Sequence, residues 1–96
     1  NFIHVVLNNA SHESVGGQPT VAGSISFEGI AESCGYNNYF YAENVDDLSD
    51  IWSSLQEMNG PSMVEIRIKQ GSRADLGRPT STPEQNKKMF MDFINV

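Results

Sequence analysis

The chain has 96 residues, with twelve acidic and six basic side chains and a net charge of −6. A chain of this length fits one small domain and buries roughly 60–65% of the surface that its unfolded form exposes. No basic stripe is present to neutralise phosphates, so the charge pattern excludes nucleic acid as a partner. No apolar run approaches the ~20 residues of a membrane span, and nothing reads as a signal peptide. Cys34 stands alone and cannot form an internal disulfide. A lone thiol of this kind predicts a small buried hydrophobe in a reducing cytoplasm, not a nucleophile.

The first element is a short apolar run, Phe2 to Leu7, which predicts a buried strand. The chain opens directly on this run and without a methionine, so the sequence reads as the C-terminal piece of something longer. A trimmed amino terminus is the alternative. Asn8 and Asn9 follow, then the polar, glycine-rich stretch Ala10-Ser11-His12-Glu13-Ser14-Val15-Gly16-Gly17-Gln18-Pro19-Thr20. Asparagine is disfavoured inside strands, and its amide oxygen is a good ligand for a hard cation. The triplet Asn9-Ala10-Ser11 also matches a glycosylation sequon, which is discounted because nothing indicates secretion.

A helix is predicted from Ser26 to Cys34. Phe27, Ile30, Ala31 and Cys34 fall on one face, with Ser26 as N-cap and Gly35 just past the end. The aromatic run Asn38–Ala42 predicts the second strand. The second helix is predicted over Val45–Met58, with Leu48, Ile51, Trp52, Leu55 and Met58 as its stripe and Asn59-Gly60-Pro61 as its stop. The third strand is predicted over Ser62–Lys69. There Val64, Ile66 and Ile68 lie on one side and Glu65, Arg67 and Lys69 on the other, as though that second face were partly solvated or near a subunit contact. The last helix begins at Thr82-Pro83-Glu84-Gln85, which combines an N-cap threonine, proline at the first helical position and a capping-box glutamine. Met89, Phe90, Phe93 and Ile94 give it an apolar face. The Trp52 and Met89–Phe93 stripes, and His4 within the first strand, read as core or interface packing.

Strands alternating with helices imply an α/β fold with parallel pairing through right-handed crossovers. The expected architecture is a three-layer parallel sheet built from three β-α units, half of a larger doubly wound domain. Two segments are too long and polar to be simple connectors: Asn8 to about Ile25, and Gln70 to Ser81. Both follow strands, so both belong at the carboxyl-terminal rim of the sheet, where α/β folds bind their ligands.

These stretches carry a resemblance. A strand ending in Asn8-Asn9 before a polar turn resembles the closing half of the thiamine diphosphate motif, which opens with Gly-Asp-Gly. The stretches His12–Thr20 and Gly71-Ser72-Arg73-Ala74-Asp75-Leu76-Gly77-Arg78-Pro79-Thr80 resemble those of the phosphonopyruvate decarboxylases within the 2-oxo acid decarboxylase family. The related sulfopyruvate decarboxylases share the first pattern more loosely. The resemblance covers essentially the whole chain, as the C-terminal half of the diphosphate-binding domain.

The resemblance implies Mg2+ and thiamine diphosphate as cofactors, a phosphonopyruvate-like 2-oxo acid as substrate and a homo-oligomeric parent enzyme. Thiamine diphosphate would act as the electron sink for loss of carbon dioxide. Asn9 would give its side-chain oxygen to the metal and Ser11 its backbone carbonyl, with Asn8 orienting the turn. Asn8, Asn9, Ser11, Ser14, Val15 and Gly16 would lie against the cofactor. Gly16-Gly17-Gln18 reads either as a close backbone approach to the ligand or as a flexible loop. His12 and Glu13 read either as acid–base groups beside the cofactor or as a solvated turn. Arg73 and Arg78 read either as partners of the substrate phosphonate or as a clamp closed with Asp75.

Only eight residues precede Asn9, which leaves no room for Gly-Asp-Gly, and Ala10 stands where such motifs often have glycine. The glutamate that activates the cofactor in such enzymes, which sits in another domain, is absent too. The chain is therefore expected to be inactive by itself. A sulfopyruvate or other 2-oxo acid decarboxylase is one alternative. A non-catalytic α/β interaction module, docking a protein on its open sheet edge, is another.

Overall fold

A computed structural model describes residues 1–95. Three parallel strands form the sheet: β1 (Ile3–Asn8), β4 (Asn38–Ala42) and β5 (Ser62–Arg67). A two-stranded antiparallel hairpin, β2 (Ser11–His12) and β3 (Gln18–Pro19), sits between β1 and the first helix. Three α-helices follow: α1 (Phe27–Ser33), α2 (Val45–Leu55) and α3 (Pro83–Ile94).

The sheet order is β1-β5-β4, with Val64 of β5 level with Val5 on one side and Phe40 on the other. The last strand in sequence thus occupies the centre. Its residues justify that place, because Ser62, Met63, Val64 and Glu65 are all buried. The path from β1 to β4 skips over β5, and the path from β4 to β5 comes back. Right-handed crossovers in opposite directions put their helices on opposite faces. Val5, Val64 and Ile66 line a groove with Val45, Leu48 and Trp52 of α2. On the reverse face, α1 packs against β4. The expected three-layer α/β arrangement is what the chain adopts.

Local chemistry explains the helix ends. Ser26 Oγ accepts from Gly29 N at 3.0 Å, Asn44 Oδ1 from Asp47 N at 2.8 Å and Thr82 Oγ1 from Gln85 N at 3.2 Å. Gln85 Oε1 closes the capping box by accepting from Thr82 N at 2.8 Å. Each bond satisfies a donor that the first helical turn leaves open. Gly35, at φ 82°, ends α1 in the left-handed region. At the amino-terminal rim, Asn38 Nδ2 donates to Asn59 O at 2.8 Å and to Ser62 Oγ at 3.0 Å, fixing where β4 starts against β5.

Several expectations need correction. Cys34 is exposed, not buried: the helix stops one residue before it, and the Gly35 turn carries it off the packed face. The face of β5 that bears Glu65 is not solvated at that position, because Tyr39 covers the carboxylate from the neighbouring strand. α2 ends at Leu55, short of Met58, and β5 ends at Arg67, after which Ile68 N makes one last bond to Asn8 O at 3.0 Å. His4 is exposed rather than core, with Nδ1 against Tyr36 Oη at 2.8 Å. Trp52 is half exposed, and every residue of α3 is exposed, so the Met89–Phe93 stripe is not core within this chain. The buried apolar core is correspondingly small: Ala31, Ala42, Leu55, Met63 and Val64. No helix among the described residues is long and apolar enough to cross a membrane.

Candidate functional site at the carboxyl-terminal rim

β1 ends on Asn8, which is paired with Arg67 and 9% exposed. Its Oδ1 accepts from Ala10 N at 3.0 Å. Asn9 repeats the device one residue on, with Oδ1 accepting from Ser11 N at 3.0 Å. An asparagine carbonyl two residues ahead of a backbone N–H is the usual way to fold a tight polar turn. Ala10, between them, takes φ 55° in the left-handed region. Two successive side-chain carbonyls therefore stabilise a bend that an alanine resists on its own.

The Asn9 amide has one possible orientation. Its oxygen faces a backbone N–H, which can only donate. Its nitrogen donates to Glu13 Oε2 at 3.2 Å, and a carboxylate can only accept. Reversing the amide would break both contacts, so Oδ1 is held on the turn side.

The polar stretch after Asn9 is not an open connector. Ser11 and His12 pair with Pro19 and Gln18 in the short hairpin, and Thr20 N donates to Ala10 O at 3.1 Å. Glu13, Ser14 and Val15 form a single 3-10 turn at its tip. Gly16 and Gly17, at φ 72° and 69°, reverse the chain so that Gly17 N can reach His12 O at 3.2 Å. These glycines serve the geometry of the hairpin. His12 Nδ1 lies 3.1 Å from Ser14 Oγ, and Val15 is half exposed.

Ser11 Oγ is buried and has no hydrogen-bond partner among the described residues. A buried hydroxyl left unsatisfied costs about 1–3 kcal/mol. The turn thus combines an oriented amide oxygen with a buried hydroxyl that lacks a partner among the described residues.

The loop after β5 reaches the same rim. Glu13 Oε1 accepts from Gly71 N, joining residues 58 positions apart. Gly71 adopts φ 100°, which only glycine tolerates readily. Beyond it the two arginines are exposed. Arg73 Nε lies 3.7 Å from Asp75 Oδ1, and those side chains are 75% and 86% exposed. An ion pair so open to water contributes little. Arg78 has no ion pair among the described residues. The rim therefore gathers Asn8, Asn9, Ser11, Glu13 and Gly71, while both arginines are exposed on the loop that follows Gly71. The role of the Gly71 amide was not foreseen. The only hint was a glycine placed just after the strand, where a positive φ opens the loop.

Over 94 residues, 98% of its length, the chain is 36% identical to a phosphonopyruvate decarboxylase of Streptomyces viridochromogenes. Over 93 residues, 97% of its length, it is 32% identical to a phosphonopyruvate decarboxylase of Streptomyces hygroscopicus. It spans about a quarter of the length of these relatives, 24% and 23%. No family model matches the chain. No solved structure matches it either. Nearly every residue of the chain falls within the two alignments, and by sequence it is similar to a quarter-length segment of these two phosphonopyruvate decarboxylases.

Proposed function

We propose that the chain is the Mg2+- and diphosphate-binding part of a thiamine diphosphate-dependent phosphonopyruvate decarboxylase, which converts phosphonopyruvate to phosphonoacetaldehyde and carbon dioxide. The observation that carries this reading is the turn at the end of β1. There the Asn9 carbonyl is held in one orientation, and the Ser11 hydroxyl lacks a partner among the described residues. The names of the two Streptomyces relatives supply the substrate.

Asn9 Oδ1 and the Ser11 backbone carbonyl would hold the cation, and the buried Ser11 hydroxyl suits a diphosphate or water oxygen. Magnesium takes octahedral oxygen ligands and keeps phosphate oxygens among them. By the family resemblance, the carboxylate that completes such a site would come from the Gly-Asp-Gly half of the motif. When bound, thiamine diphosphate supplies the electron sink for decarboxylation.

This chain's own contribution is positional. Asn8 shapes the turn, Asn9 and Ser11 hold the cation, and Ser14, Val15 and Gly16 border the cofactor. His12 is the candidate for proton transfer at the reacting carbon. Arg73 and Arg78, on a loop free of strong ion pairs, are available to a tetrahedral oxyanion such as the phosphonate. The intact enzyme would be a cytoplasmic homo-oligomer.

A chimera tests the reading. This chain replaces the matching quarter of the S. viridochromogenes enzyme, and carbon dioxide release from phosphonopyruvate is followed with and without Mg2+ and thiamine diphosphate. The expected result is turnover that needs both additions and falls by two orders of magnitude or more with Asn9→Ala. An active chimera indifferent to Mg2+ removal, or to Asn9→Ala, would overturn it.

A further inference from the structure

Glu13 invites an acid–base role, since it neighbours His12 in the rim turn. Its hydrogen bonds argue otherwise. One carboxylate oxygen accepts from Asn9 Nδ2 at 3.2 Å, and the other accepts from Gly71 N. A general base needs an oxygen turned toward the proton it removes. Here each oxygen holds a donor of the protein, and protonating the group would weaken both contacts.

We infer that Glu13 is a positioning residue that locks the Asn9 turn to the loop after β5, setting the cation ligand and the arginine-bearing loop in one register. The side chain spans two loops that no other side-chain hydrogen bond, to backbone or to side chain, connects among the described residues. Gly71 is the hinge end of this link, and Arg73 lies two residues beyond it. Release of Glu13 leaves the Asn9 amide held by Ser11 N alone and frees the Gly71 end of the loop. Coupling of this kind is reciprocal: an occupant that holds Asn9 also holds the loop. The functional meaning of the lock rests on the proposed cation role of Asn9; the lock itself does not.

The test uses the 15N-labelled chain without metal or cofactor, so that its outcome is separate from that of the chimera. Hydrogen exchange of the Gly71 amide, the Asn9 side-chain NH2 resonances and trypsin cleavage at Arg73–Ala74 are followed in wild type, Glu13→Ala and Glu13→Gln. The Val64 amide in the central strand reports the fold. With Val64 protection unchanged, Glu13→Ala should speed Gly71 exchange and Arg73–Ala74 cleavage by roughly tenfold or more, as expected for loss of a charge-assisted bond.

Glu13→Gln keeps an oxygen for Gly71 but offers Asn9 an NH2 that cannot accept. It should retain part of the Gly71 protection while shifting the Asn9 NH2 signals. A side chain that merely filled space would leave those signals in place. Equal Gly71 exchange in wild type and Glu13→Ala would overturn the inference. If Glu13→Ala also loosens Val64, the near-isosteric Glu13→Gln decides, and unmoved Asn9 signals there would overturn it as well.

Discussion

Tyr39 donates its phenolic O–H to Glu65 Oε2 at 3.3 Å, and Glu65, on the central strand, is 6% exposed. The two lie on adjacent strands and on the face that α1 covers. Burial first, and then the Glu65 charge and hydrogen bond, push the phenol up to about 12. The folded value lies above the unfolded one, near 10. The protonated phenol therefore favours folding fully below pH ~10, and that contribution is lost as pH rises from ~10 toward 12. Urea unfolding between pH 8 and pH 11.5 should show stability falling over the upper part of this range. Tyr39→Phe should flatten the fall and cost about 1–3 kcal/mol at pH 8, because it leaves a buried carboxylate short of a donor. Tyr41, also raised through its bond to Glu43, is exposed and should leave a weaker trace. An unchanged pH profile in Tyr39→Phe would refute this assignment.

α3 is held by its first turn rather than by packing. Thr82 and Gln85 form a reciprocal box, Pro83 opens the helix, and all of its residues are exposed. Thr82→Ala should destabilise this helix by about 1 kcal/mol. For an unpacked helix the loss reads as lower helicity over residues 83–94, seen in Cα chemical shifts, with the unfolding midpoint of the sheet unmoved. Glu84 is held below the usual carboxylate range by its own backbone N–H, then by the Thr82 hydroxyl. Its contribution is present above the unfolded pKa and lost as pH falls through the folded one. Helicity of α3 should therefore drop on acidification below about pH 4.5. Helicity constant through that range would count against the role of Glu84.

Val64 is at the centre of the small core, with 1% exposure and strands on both sides. Val64→Ala should cost about 1.5–3 kcal/mol, a large share for a domain this small. Chemical denaturation is the check. A loss below about 0.5 kcal/mol would mean that the sheet centre is not the core.

What could be read from the chain was whatever is encoded locally. Ser26, Gly35 and the Thr82–Gln85 box act within four residues of their partners, so pattern alone located three helices. The alternation of strands and helices gave the parallel sheet. The central place of β5 was not legible, because strand order depends on which crossover skips a neighbour. The burial of Glu65 was missed for the same reason: its cover, Tyr39, comes from another strand. Cys34 fitted the apolar spacing of α1, but the helix ended before reaching it. At the rim, the Asn8-Asn9 turn was legible and the hairpin was not, since strands of two residues leave no periodicity. The Glu13–Gly71 contact joins distant segments and leaves no local mark.

Ala10 holds φ 55° between Asn8 and Asn9. A left-handed alanine carries a steric cost of roughly 1–2 kcal/mol that glycine avoids. Glycine in turn loses more chain entropy on folding, roughly 0.5–1 kcal/mol. The two terms leave a net gain of about 0.5–1 kcal/mol for Ala10→Gly, readable in denaturation midpoints. The bonds from Ala10 N to Asn8 Oδ1 and from Thr20 N to Ala10 O are backbone contacts that glycine keeps. The gain should therefore come without movement of the Ser11 or Thr20 amide signals. Asn8→Ala should do the reverse, since it removes the carbonyl that holds the bend while Ala10 still resists it. Its cost should fall when Ala10→Gly is added, because the bend then needs less support. Strict additivity of the two changes would show that the Asn8 carbonyl and the Ala10 backbone are energetically independent, and that the turn does not work as described.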